Sequence, residues 1–112
     1  MNTIMNEDEL NKVSMQIILH AGDARNQITE ALNKIGDEQF DAASELLTQA
    51  QENLKKAHES QTSTIQSAAQ GMEIPYSVLF THAQDTLMTI MSELNLAKQL
   101  IKLFRKVSFK ED

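Results

Sequence analysis

The stretch Ser77–Val107 reads SVLFTHAQDTLMTIMSELNLAKQLIKLFRKV. Its apolar residues Phe80, Ala83, Leu87, Ile90, Leu94, Ala97, Ile101 and Phe104 alternate in steps of three and four. That is the period of one helix face and not of a strand. No proline or glycine interrupts it. A helix of this length spans about 45 Å, so it needs partners of similar length to cover its seam. The preceding segments supply them. Leu10, Ile17, Ala21, Ala24, Ile28, Ala31 and Ile35 form one face, and Phe40, Ala43, Leu47, Ala50, Leu54 and Ala57 form another. The spacing predicts helices over about 7–35, 37–66 and 77–107.

The boundaries follow from cap chemistry. Asn6 is an N-cap candidate, followed by Glu7, Asp8 and Glu9 at the positive helix end. Gly36 is the expected stop of the first helix and Asp37 the expected cap of the second. From His58 to Gln70 the apolar pattern thins into Ser, Thr and Gln, with Ile65 and Ala68 expected to point inward. The Gly71–Tyr76 stretch makes the second connection. Ser77 is placed to cap the third helix, although Pro75 also suits a first turn. Phe109–Asp112 reads as a loose tail. Short connections impose an antiparallel, up-down-up, all-α bundle in one domain over residues 1–112.

Composition narrows the function. With 112 residues there is room for one modest core. Three glycines and one proline argue against a turn-rich β fold. Ten basic against sixteen acidic residues give a net charge of −6, which disfavours binding to a phosphate backbone. One Tyr, four Phe and no Trp offer few platforms for base stacking, so no nucleic acid is expected. The absence of cysteine excludes disulfides, thiolate metal sites and cysteine catalysis, and is compatible with a reducing cytosol. The first ten residues, MNTIMNEDEL, carry no secretory pattern. No apolar run reaches about 18 residues, so no direct membrane insertion is expected and a membrane link would pass through a partner.

The third helix is short of charge. Between Pro75 and Ala97 only Asp85 and Glu93 are charged. Opposite the main seam lie His82, Asp85, Thr89, Ser92 and Leu96, with Met88 and Met91 alongside. Thr and Ser can face water unaided, but a long uncharged face more often marks an interface. Self-association of third helices is the expected cause.

Candidate chemistry rests on three histidines. His20 lies among Ile17, Ile18 and Ala21 and is expected to pack at a bundle edge. His58 precedes a polar run and is either solvated or part of a polar seam. His82 has Asp85 three residues on, within one turn of the same face. That spacing suits metal ligation, or a carboxylate that orients an imidazole. By residues alone, a non-enzymatic helical adaptor with a structural His82 and a metal-binding bundle both stay open.

The string Ile74-Pro75-Tyr76-Ser77, then His82-Ala83-Gln84-Asp85 and Leu87-Met88-Thr89, resembles the lactose/cellobiose-type enzyme IIA family of the bacterial phosphoenolpyruvate-dependent sugar phosphotransferase system. Ala21-Gly22-Asp23-Ala24-Arg25, Ala57-His58 and Gln61-Thr62 agree with it. The resemblance covers about residues 7–105. It implies three long helices assembled as a homotrimer in the cytoplasm, with His82 the phosphorylated residue and Gln84 its neighbour in the site. It implies that Asp85 of three subunits shares a divalent cation, usually magnesium, on the trimer axis. It implies phospho-HPr as donor, a cysteine of a IIB protein or domain as acceptor, and a IIC permease reached only indirectly. The sugar would be a disaccharide such as lactose, cellobiose or chitobiose. One position departs from the pattern: many members carry a second His after the Asp, where this chain has Thr86.

Overall fold

The structure is a computed structural model and describes residues 4–110. Three helices, α1 (Glu7–Gly36), α2 (Phe40–Ala69) and α3 (Val78–Lys110), form a rod of 69 × 20 × 18 Å. Among the described residues the only β-type pairing is an isolated parallel bridge between Ile4 and Glu73, where Met5 N–H donates to the Glu73 carbonyl at 2.8 Å.

The directions follow from the cross-helix contacts. Arg25 reaches Glu93, 68 residues on, and the same groove pairs Leu32 with Leu100, so α1 and α3 run parallel. Lys98 donates to Gln51 while Arg105 reaches Asp41, so α2 runs against α3. The α1–α2 seam is bridged by Gln27, whose amide oxygen accepts from Asn53 at 2.9 Å. The core runs the length of the rod through the expected faces, from Ile17, Ala21 and Ile28 across Leu47 and Leu54 to Leu87, Ile90 and Leu94. Alanines alternate with larger residues, which lets the helices approach closely.

The caps are partly as expected. Asn6 caps α1, its side chain accepting from Asp8 N–H at 2.7 Å. Ser77 caps α3 by accepting from Phe80 N–H at 3.0 Å, which leaves Pro75 in the connector. The α1–α2 connection differs. Gly36 remains helical, and Asp37 closes α1 rather than capping α2. Glu38 takes the left-handed conformation, with φ 61°. Glu38 N–H donates to the Ile35 carbonyl and Gln39 N–H to that of Lys34, the paired bonds of a Schellman closure. α2 then begins at Phe40 behind Gln39, which makes no side-chain cap. The reason is geometric: the closure consumes three residues after Gly36. The α2 end repeats the pattern with Gly71 at φ 96°, its N–H on Ala68 and Met72 N–H on Ser67.

Four more expectations are corrected. α2 continues to Ala69 rather than Gln66. Ile65 is 48% exposed and Ala68 is also exposed, because the inward register passes through Gln61 and Thr64. Phe104 is 49% exposed, since it lies level with Gly36, the last residue of α1. α3 also takes in Phe109 and Lys110, expected to be tail, and the remaining tail residues 111–112 lie outside the described residues.

Candidate functional site

His82 lies one turn into α3, on the exposed side of the helix. The local sequence fixes that placement. Ser77 starts the helix, and Ala83, Leu87 and Ile90 turn fully inward, which leaves His82 facing outward. Among the described residues its side chain makes no hydrogen bond or ion pair. An imidazole so placed keeps its ring nitrogens open to solvent. Ala83 directly beneath contributes no bulk that would crowd the ring.

Asp85 lies three residues on, also exposed and without an ion pair among the described residues. Its backbone carbonyl accepts from the Thr89 hydroxyl at 2.8 Å. Gln84 is half-buried on the opposite flank of the helix from His82, toward α2. Thr86 is half-buried near the α1 side. The structure thus puts His82 and Asp85 on neighbouring parts of one exposed surface and turns Gln84 away from both within the same chain. Among the described residues no group of three His, Asp or Glu side chains is arranged to hold a metal ion.

The other histidines sit elsewhere. His20 is half-buried in the α1–α2 groove, beside Lys56 and Glu59, as a bundle-edge residue should be. His58 is exposed on the α2–α3 side, its Nδ1 3.4 Å from the Thr62 hydroxyl. His20 also has an acid three residues on, Asp23, but is itself half-buried, whereas His58 has Gln61 at that position.

A second stripe runs from the site down α3. Asp85, Thr89, Ser92, Leu96, Gln99 and Leu103 step by four and three, and all are exposed. Leu96 is 61% and Leu103 57% exposed, and Met88 beside them 56%. Next to this stripe an apolar groove of about 280 Å³ is lined by Ile28, Leu32, Leu96, Ala97 and Leu100, under the Arg25–Glu93 ion pair. So α3 carries two seams, one filled by its own bundle and one uncovered. No helix among the described residues is long and apolar enough to cross a membrane.

Comparison with known proteins bears on this arrangement. Residues 12–105 match the family model for the lactose/cellobiose-specific IIA subunit of the phosphotransferase system. A lactose-specific EIIA component of Staphylococcus epidermidis is 41% identical over 104 residues, covering 93% of this chain and all of the relative. The crystal structure of PtcA from S. mutans superposes with a TM-score of 0.89 at 36% identity, over 90% of this chain and 99% of the other. The chitobiose IIA of Escherichia coli, solved in complex with HPr, gives 0.75 at 33% identity, over 88% and 96%. The exposed His82 therefore stands on the three-helix scaffold of a known class of phosphoryl carriers, and the chain belongs to the lactose/cellobiose-specific IIA family of the sugar phosphotransferase system.

Proposed function

We propose that His82 is the phosphoacceptor, loaded by phospho-HPr and unloaded onto a cysteine of the cognate IIB protein or domain. The observation that carries this reading is the open imidazole of His82, set in the His-Ala-Gln-Asp string and held by no neighbour. A neutral ring nitrogen attacks the phosphorus, the bond from phosphorus to the donor breaks, and a phosphoimidazole results. The IIB thiolate then attacks the same phosphorus, the P–N bond breaks, and His82 returns to neutral imidazole. Such transfers depend on positioning and charge stabilisation more than on covalent assistance by the protein. An exposed acceptor suits a carrier that must meet two different proteins in turn. The sugar, a disaccharide such as lactose, cellobiose or chitobiose, is phosphorylated downstream during passage through IIC and never meets this chain.

The uncovered α3 stripe supports a homotrimer. A rod exposes more surface than a compact chain: 7478 Å² here, against about 6,200 Å² for a typical folded monomer of this mass. Parallel packing of three α3 stripes covers Leu96 and Leu103 and brings three copies of Asp85 to one axis. A single chain offers one carboxylate there, so one copy does not make a metal centre. Three carboxylates supply hard oxygen ligands that fit magnesium or a similar divalent ion. When bound, the cation supplies positive charge that relieves repulsion among the three carboxylates. Gln84, turned to the opposite flank of α3, is proposed as a neighbour of the phosphorylation site in this assembly.

The test is labelling from phosphoenolpyruvate through enzyme I and HPr. Wild-type protein should acquire acid-labile, base-stable phosphate, and His82→Gln should acquire none while keeping its helicity. Label persisting on His20 or His58 in that variant overturns the assignment.

A further inference from the structure

The described core contains only three buried polar side chains, Ser14, Gln61 and Thr64. They are not scattered. Counting along the antiparallel α1–α2 pair from the contacts of Gln27 with Gln49 and Asn53 brings Ser14 level with Thr64, and Ile17 level with Gln61. The Arg25–Glu93 offset of 68 brings Ser14 level with His82 in α3. The polar layer thus crosses the bundle directly behind the turn that carries His82, and the remaining core is apolar.

The layer is not fully satisfied. Ser14 donates to Leu10 and Thr64 to Ser60, but the Gln61 amide oxygen is buried with no hydrogen-bond partner among the described residues. An unpartnered buried acceptor leaves its desolvation uncompensated. The same part of α2 is weak for two further reasons. Ser60, Thr64 and Ser67 each bond a carbonyl four residues back, a contact that slightly destabilises a helix. Ile65 and Ala68, apolar residues of its last turns, are exposed and do not anchor them. Beyond Ala69 the connector is held to the N-terminal segment by the Met5–Glu73 bond.

We infer that the His58–Ala69 portion of α2 opens as a unit of its own, while Phe40–Ala57 stays docked, and that opening uncovers Ala83 and Leu87 beneath His82. Sub-global openings of this kind draw on segments with few buried apolar contacts. The polar layer is then a device that keeps the site end of the rod less stable than the other end. The inference does not depend on phosphorylation, because hydrogen exchange reads the opening directly.

The experiment is native-state hydrogen exchange on the full chain at fixed concentration, with increasing sub-denaturing urea. Amides of Gln61–Ala69 should exchange at least about tenfold faster than those of Ala43–Ala57, with a weaker urea dependence. Gln61→Leu should slow the first group about tenfold and the second by the same factor, because any unfolding that exposes Ala43–Ala57 includes the opening of His58–Ala69. Thr64→Val should act in the same direction and serves if Gln61→Leu does not fold. The inference is overturned if both segments exchange with one rate and one urea dependence in the wild type. It is equally overturned if the substitutions slow Ala43–Ala57 and leave Gln61–Ala69 unchanged.

Discussion

Glu38→Gly should stabilise the protein. Glu38 occupies the left-handed position of the α1 closure, φ 61°, while the equivalent position at the end of α2 is Gly71. The left-handed conformation costs an L-residue with a Cβ roughly 1–2 kcal/mol. Glycine removes that cost but loses about 0.4–1 kcal/mol through its freer unfolded chain. The net gain is about 0.5–1 kcal/mol. For 112 residues, 1 kcal/mol moves the thermal midpoint by roughly 4 °C, so a rise of about 2–4 °C is expected. Glu38 also carries charge between the negative end of α1 and the positive end of α2, so Glu38→Gln is the control and should move the midpoint little. Differential scanning calorimetry at equal chain concentration measures all three proteins. Equal shifts for Glu38→Gly and Glu38→Gln would refute the backbone argument, and so would a fall with glycine. Gly71→Ala reverses the logic: beyond its chain neighbours no atom lies within 4 Å of the added Cβ, so a net loss of about 0.5–1 kcal/mol would come from the backbone alone.

Leu87 is fully buried, and Leu87→Ala should cost about 2–5 kcal/mol in chemical denaturation, whereas Ile17→Val should cost about 0.5–1.5 kcal/mol. The Arg25–Glu93 pair is two-pronged but both side chains are more than 40% exposed, so a double-mutant cycle should return less than about 1 kcal/mol, shrinking with added salt. Asp85→Leu should abolish the effect of a chelator on the thermal midpoint and tighten the trimer, while chelation should loosen the wild type; equal chelator shifts in both proteins would return Asp85 to an ordinary surface acid.

The three helices were legible because their core faces keep helical period over six to eight residues each. Ala21, Ala24 and Ile28, or Leu87, Ile90 and Leu94, announce themselves by type as well as by position. The α2 end was misread where type and position part. Continuing the register from Ala57 leads to Gln61 and Thr64, but Ile65 and Ala68 are the apolar residues nearby, and hydrophobicity alone favours them. Ser14 was hidden in the same way, as a small polar residue between Leu10 and Ile17. Gly36 and Asp37 are good closure and cap residues by composition, yet the closure lands its left-handed residue on Glu38, which no propensity favours. At the site, His82 with Asp85 was visible as a pair at helical spacing. Its solvent exposure follows from the seam, since Ala83 points inward. The flank on which Gln84 falls required the helix rotation that packing sets.

The long interval between Arg25 and Glu93 has a consequence for how the molecule is born. α1 and α2 are joined by a short connection and form their mutual interface from nearby chain, whereas every α3 contact must wait until Val78–Lys110 has been made. At about 5–20 residues per second, the 33 residues of α3 emerge over roughly two to seven seconds. During that interval the nascent hairpin presents Ala24, Ile28 and Leu54 to a partner that has not been made. The helix that carries His82 is made after the other two, and its two seams arrive together. Docking onto its own hairpin closes one of them, and the other becomes available to sister chains only once that choice is made.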